Sequence, residues 1–158
     1  MLMNKLKKVL MGMCVTAIGL ALPAAGSAAK QASSPKVEYY PHAQVATAFA
    51  KGETLTQGSS GGGVYKVMTA RRDGPGEVEV HALDTDIFYI VKGSATFVTG
   101  GKVVDARNTA PNEVRGKSIQ GGTPHHLSQG DILVIPHGVP HWFEGVEPPF
   151  LYLVIKVH

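Results

Sequence analysis

Two histidines and a glutamate in this sequence stand where a β-sheet can turn them toward one site. His141 follows segment 130–140, whose prolines and glycines make a stiff reversal between two predicted strands. Glu79 and His81 are two residues apart in the alternating segment 77–81, so we expect both side chains on one face of a strand. Imidazole nitrogens and carboxylate oxygens are common ligands of transition metals. Side chains of these types could bind a divalent ion if the fold brings them together.

The reversal before the second strand has a spacing that is known from a large family. It resembles the second conserved motif of the cupin superfamily: glycine, five residues, proline, one residue, glycine, two residues, histidine. The four positions are filled by Gly130, Pro136, Gly138 and His141. Gly145 replaces the asparagine that usually follows four residues after the histidine. The resemblance covers roughly 64–157 and implies an all-β fold, the single-domain cupin jelly-roll barrel.

The same resemblance implies a first motif: histidine, one residue, histidine, three or four residues, glutamate, six residues, glycine. In that frame Asp86 takes the glutamate position, His81 the second-histidine position and Glu79 the first-histidine position. An alternative register gives His81 the first-histidine position and Leu83 the second, which removes one ligand. His81, Asp86 and His141 are ligand candidates in both registers, and Glu79 in one of them. The resemblance therefore implies a site for a divalent transition metal: Fe(II), Mn(II), Ni(II) or Zn(II).

Glu79 and Asp86 are also the candidate catalytic residues. A carboxylate that does not bind the ion can act as a general base, and burial is expected to raise its pKa toward the working range. Two histidines and one carboxylate on one face, with open positions, form the ligand set typical of non-haem iron. The alternative interpretation is that Val78 and Val80 face the core, which would leave Glu79 as a solvated charge and His81 as an ordinary end-of-strand histidine.

The N-terminal residues 1–29 have the pattern of a secretory signal peptide. Three lysines precede an uncharged, mostly apolar run over 9–22, and small residues follow it. That run is shorter than the roughly twenty residues that a membrane span needs. Cys14, the only cysteine, lies inside it, so a processed chain has no disulfide and no thiolate ligand. The expected location is periplasmic or secreted.

The charge distribution excludes several classes of partner. The sequence has 15 Lys and Arg and 12 Asp and Glu, and three of the lysines lie in the predicted signal peptide. The processed chain is therefore close to neutral, without a basic patch for nucleic acid or, after cleavage, for a membrane. The expected partner is a small-molecule ligand or substrate. Small single-domain cupins generally form homodimers, which implies a second copy as well, with segments 64–70 and 150–157 as the interface.

The rest of the chain is predicted to hold one domain. Residues 30–63 are expected to form a polar tether, a short helix over 42–51 and a flexible glycine-rich loop over 56–63. Residues 64–158 are expected to be the cupin domain, because short strands separated by glycine and proline turns predict a jelly-roll barrel or β-sandwich. The polar segment 105–122 is expected to be a long inserted loop.

Three functions fit these observations. The first is a metal-dependent enzyme, dioxygenase- or isomerase-like, acting on a small oxygenated organic compound. The second is a non-catalytic module that binds a small ligand or a metal. The third is a structural role in which the motif residues serve only the turns they build. The resemblance does not choose among them, because the cupin fold hosts several reaction classes and binding proteins. The residues favour the enzyme by a narrow margin.

Overall fold

A computed structural model of the chain describes residues 36–60 and 62–158. The predicted signal peptide over 1–29, and the predicted tether as far as residue 35, lie outside the described residues. Contacts divide the chain into Met1–Val37 and Glu38–His158, and every element below belongs to the second unit. No helix within the described residues is long and apolar enough to cross a membrane.

The unit Glu38–His158 consists almost entirely of β-strands. In chain order its elements are α1 (His42–Lys51), β1 (Thr54–Ser60), β2 (Gly63–Arg72), β3 (Val78–His81), β4 (Thr85–Lys92), β5 (Ala95–Thr99), β6 (Lys102–Val104), β7 (Arg107–Ala110), β8 (Glu113–Gly116), β9 (Ser118–Gln120), β10 (Thr123–Leu127), β11 (Ile132–Ile135), β12 (His141–Val146) and β13 (Phe150–Val157). The helix occupies the predicted residues 42–51 and ends at Gly52, whose positive φ of 72° suits a glycine C-cap.

The strands form two large antiparallel sheets and a small ribbon. One sheet has the order β1-β2-β13-β4-β11, and the other has the order β10-β5-β12-β3-β8-β7. Strands β6 and β9 pair separately as a two-stranded ribbon. Buried side chains of both large sheets join in one core, so the sheets pack face to face. This architecture confirms the predicted all-β, jelly-roll fold.

An aromatic cluster forms the centre of the core. The rings of Phe97 and Phe143, from neighbouring strands, lie 4.6 Å apart between centroids. Phe88 of the opposite sheet lies 5.9 Å from Phe97 and 5.0 Å from Tyr152. Such pairs add to the hydrophobic gain of burying each ring. The ring of His141 lies 6.0 Å from that of Phe97, so the core passes directly into the polar site described below.

Two expectations about loops are wrong. The stretch expected as a flexible loop over 56–63 is largely strand β1, and the expected inserted loop over 105–122 contains β7, β8 and β9. Both regions lie at or near sheet edges: β1 and β7 are edge strands. All four residues of β7 are exposed. An edge strand with no buried face lacks the apolar alternation by which strands are recognised in a sequence.

Candidate metal centre

Two adjacent strands bring three of the candidate ligands together. Strand β12 begins at His141, which pairs directly with Glu79 of β3. His81 lies two residues further along β3 and lines the same cavity as Glu79. One ligand atom from each of these three residues lies within 4.8 Å of the others. Glu79, His81 and His141 therefore form a group that could hold a metal ion.

Both histidines present an unpaired nitrogen to this group. His81 and His141 are each only 3% exposed, and the buried Nε2 atom of each has no hydrogen-bond partner among the described residues. Their Nδ1 atoms are satisfied: that of His141 donates to the Val139 carbonyl at 3.0 Å, and that of His81 lies 2.8 Å from both carboxylate oxygens of Glu113. A buried polar atom without a partner is costly. Two of them beside a carboxylate fit an ion as their missing partner.

The carboxylate of Glu79 is divided between this group and two arginines. Its Oε2 lies 3.4 Å from Nε2 of His81. Its Oε1 forms an ion pair with Arg115 Nη1 at 2.7 Å and accepts a hydrogen bond from Arg72 Nη2 at 3.4 Å. One oxygen is thus held by cations while the other faces the imidazoles.

Asp86 reaches the same site from the opposite sheet but is already paired. Its Oδ2 lies 3.4 Å from Nε2 of His81 and 3.9 Å from Nε2 of His141. Lys156 Nζ donates to both of its oxygens, at 2.6 and 2.9 Å. Asp86 is 2% exposed and lies outside the group formed by Glu79 and the two histidines. The four predicted site residues are therefore neighbours, and Asp86 is in addition paired with Lys156.

The pKa values of the two buried carboxylates are shifted downward, not upward as the sequence predicted. Burial alone would raise the pKa of Glu79, but the neighbouring His81 and Arg115 outweigh burial and hold that pKa far below its usual range. Burial likewise favours a higher pKa for Asp86, and His81 and Lys156 lower it instead. The expected upward shift of the carboxylate pKa values is wrong, because each buried carboxylate has cationic partners.

The two imidazoles differ in charge. Burial lowers the pKa of His141 and keeps that ring neutral. Burial acts in the same direction on His81, but the carboxylates of Asp86 and Glu79 overcome it and raise the pKa of His81 to about 10. In the ion-free protein His81 is thus a cation whose Nε2 lies 3.4 Å from Oε2 of Glu79 and from Oδ2 of Asp86, and an ion would bind by displacing the proton of that nitrogen.

The group opens into a cavity of about 480 Å³, a volume typical of small-molecule sites. One part of its wall is apolar, with Met68, Phe88 and Val154, and another part carries the cations of Arg72 and Lys66. Size and mixed polarity together suit a small molecule with both hydrocarbon and oxygen groups.

Strand β3 is covered on both faces. Burial of its valine face therefore does not leave Glu79 and His81 in solvent, as the alternative interpretation required. Val78 is fully buried on one face, near Gly116 of β8. Glu79 and His81 line the cavity on the other face. Leu83, the ligand position of the alternative register, is 52% exposed and does not line this cavity.

Four charged residues of the site were missed by the sequence analysis. They are Arg72 of β2, Glu113 and Arg115 of β8, and Lys156 of β13. The alternation of charged residues at 113 and 115 was the available sign of a strand in this region, but the surrounding polar residues obscured it. Lys156 is 70 residues from its partner in sequence, a pairing that only the folded sheet defines.

Comparison with known proteins supports the fold assignment. BH2720 from Bacillus halodurans aligns with a TM-score of 0.52 at 11% identity, over 78% of this chain and 83% of its own. KdgF from Halomonas sp. aligns with a TM-score of 0.42 at 17% identity, over 65% and 86% of the two chains. The similarity to BH2720 shows the fold alone. No curated protein matches the sequence. The family model for Cupin matches residues 30–158, so the chain belongs to the cupin family.

Proposed function

We propose that this cupin is a metal-dependent enzyme, dioxygenase- or isomerase-like, acting on a small oxygenated organic compound. The observation that carries the proposal is the pair of buried, unpartnered Nε2 atoms of His81 and His141 beside the ionised Glu79. A purely structural role, in which the motif residues only build turns, does not explain why two such nitrogens are buried beside each other. The cavity at the site has room for a small molecule.

The ion would be held by Nε2 of His81, Nε2 of His141 and Oε2 of Glu79, and this donor set suits Fe(II), Mn(II), Ni(II) or Zn(II). When bound, it supplies a Lewis acid that polarises a substrate oxygen. The protein prepares the ligands: the Val139 carbonyl fixes the proton of His141 on Nδ1, and Arg115 holds the other oxygen of Glu79.

Asp86 is the proposed proton acceptor. Its lowered pKa keeps it ionised at neutral pH, and its Oδ2 faces the two imidazoles. Lys156, hydrogen-bonded to both Asp86 oxygens, stabilises that charge. The apolar wall, including Phe88, limits the access of water to the reacting groups.

Elemental analysis tests the metal centre. Protein exported to the periplasm and purified without chelator or a histidine-rich tag should contain close to one Fe, Mn, Ni or Zn per chain. His81→Ala and His141→Ala should each lose the ion, because each removes a third of the ligand set. His126→Ala, which changes an exposed histidine of β10, is the control and should keep it. A wild-type protein that stays without metal after reconstitution would contradict the proposal.

A non-catalytic binding module is the second candidate. It is favoured by the Asp86–Lys156 ion pair, because a carboxylate bound through both oxygens to a lysine is less available as a base. In that case the cavity would bind its small ligand equally well in metal-free protein. Calorimetric titration of metal-free and metal-loaded protein with candidate ligands separates the two functions, since the enzyme needs the ion for turnover.

We also propose that the protein is exported, to the periplasm or beyond. The pattern of residues 1–29 supports export, and the family match begins at residue 30. Mass spectrometry of the protein from the periplasmic fraction should give a mature chain beginning near residue 29 or 30. An uncleaved chain confined to the cytoplasm would rule this out.

A further inference from the structure

Strand β8 lies beside the strand that carries two of the proposed ligands. The strands are antiparallel, and their register sets Arg115 opposite Glu79 and Glu113 opposite His81. Residues two apart on a strand share a face, and directly opposed residues are neighbours on that face. Each ligand from β3 therefore has its own cross-strand partner on β8.

Glu113 makes the closest contact to His81. Both of its oxygens lie 2.8 Å from Nδ1 of that ring, and its side chain is 27% exposed. A hydrogen bond from Nδ1–H to Glu113 leaves the lone pair of Nε2 directed at the group of ligands. Carboxylates that orient metal-binding histidines in this way usually change metal affinity by about 10- to 100-fold when they are removed.

Arg115 connects the two pairs. Its Nη1 lies 2.7 Å from Oε1 of Glu79, and its Nη2 lies 3.7 Å from Oε2 of Glu113. The guanidinium thus lies between two carboxylates, and it leaves only one oxygen of Glu79 free for an ion. The contacts from β8 thus leave one atom of each β3 ligand directed at the ion site: Oε2 of Glu79 and Nε2 of His81.

We propose that Glu113 is a positioning residue of the metal centre, acting through His81, and that Arg115 keeps Glu113 and Glu79 in place. The inference rests on the proposed metal site and adds to it a second layer of residues on β8. Glu113 does not contact the ion. It fixes which nitrogen of His81 carries the proton and which direction the ring faces.

Zinc affinity is the first measurement. The dissociation constant for Zn²⁺ is determined by competition with a chromophoric chelator, for protein expressed as the full chain. Glu113→Gln should weaken binding by about 10-fold and Glu113→Ala by up to about 100-fold, because the glutamine keeps an acceptor oxygen but loses the charge. Glu144→Gln, an exposed glutamate of β12, is the matched control and should bind as the wild type does.

Two further readouts separate positioning from a merely structural role. Urea unfolding of the metal-free proteins should show that both Glu113 variants remain folded. In the zinc-loaded wild type, ¹⁵N–¹H NMR should show a slowly exchanging Nδ1–H proton on His81, and this signal should be lost in Glu113→Ala.

The outcomes distinguish this inference from the proposed function. If the wild type binds no Zn²⁺, the metal centre itself is wrong and the inference is overturned with it. If the wild type binds Zn²⁺ and the Glu113 variants bind it equally well, only the inference is overturned. Weakened binding that is fully accounted for by unfolding of the variants also overturns it.

Discussion

The site is an alternating arrangement of buried charges. His81 contacts Glu79 and Asp86, and these carboxylates contact Arg115 and Lys156 in turn. A buried charge is tolerated only where opposite charges and hydrogen bonds replace water. Each member therefore depends on its neighbours, and a change at one residue alters the protonation or stability of the next.

The pH dependence of stability follows from the cationic His81. Its pKa is about 10 in the folded, ion-free protein, against 6.5 as the ordinary value. A raised pKa contributes stability that is fully present below about 6.5 and is lost as the pH rises through 10. Urea midpoints of metal-free protein should fall more steeply over this range than those of His81→Gln. Equal slopes for the two proteins would show that His81 is not charged in the fold.

Lys156 is expected to be important for stability because it neutralises Asp86. Lys156→Met keeps most of the side chain's volume but leaves a carboxylate that is 2% exposed without its lysine. Removing one partner of a buried pair typically costs about 3 kcal/mol or more, and His81 offsets part of it here, so we expect a loss of about 2 to 3 kcal/mol in urea unfolding. Lys66→Met, on the same cavity wall, is the control and should change stability far less.

The elements explain how these charges come together. Strand β3 lies between β12 and β8, so that its Glu79 meets His141 on one side and Arg115 on the other. At Gly116, strand β8 packs closely against the two-stranded ribbon of β6 and β9. A side chain at Gly116 would collide with Val103 of the small ribbon and approach the Val104 carbonyl oxygen to 2.9 Å.

Gly116→Ala should therefore destabilise the protein. Overpacking of this kind usually costs about 1 to 3 kcal/mol, and the displaced end of β8 should also weaken metal binding. Gly145→Ala is the matched control: it lies in strand β12, and its added methyl group would meet nothing within 4 Å. Thermal unfolding of the two variants compares them directly. Similar midpoints would mean that the ribbon moves freely away from β8.

The local sequence pattern was enough to predict some of these elements and contacts, but not others. The spacing of Glu79 and His81, and the stiff turn before His141, predicted side chains that do lie together in the structure. Glu113 contacts His81 across 32 residues of sequence, and Lys156 contacts Asp86 across 70. Such partners depend on which strands become neighbours, and neither alternation nor turn residues specify that. The polar edge strands were missed because they bury few side chains and therefore do not show the alternation of apolar and polar residues that marks a strand.

At the scale of the whole molecule, one sheet face stands out as a surface for association. We propose that the chain forms a homodimer through this sheet. The expected interface segments, 64–70 and 150–157, fall in the adjacent central strands β2 and β13 of the five-stranded sheet. Near them the same sheet exposes large apolar residues at its edge: Tyr89 is 46%, Ile132 67% and Val134 62% exposed. Apolar groups clustered on a sheet favour protein contact.

Val134→Asp should turn a dimer into a monomer, since it places a charge on this patch. Analytical ultracentrifugation of wild type and variant measures the change. Leu83→Asp alters another exposed apolar residue, in the turn after β3, and should leave the mass unchanged. A wild type that sediments as a monomer at high concentration would contradict the dimer.

The place of β13 has a consequence for how the protein is made. This strand is hydrogen-bonded between β2 and β4, although it follows both by many residues in the chain. A ribosome therefore completes β2 and β4 long before the strand that must fill the gap between them. Until then the larger part of the core cannot close, and two unpaired edges stay open to chaperones or to aggregation. Such late closure would suit the export proposed above, in which the chain crosses a membrane before it folds.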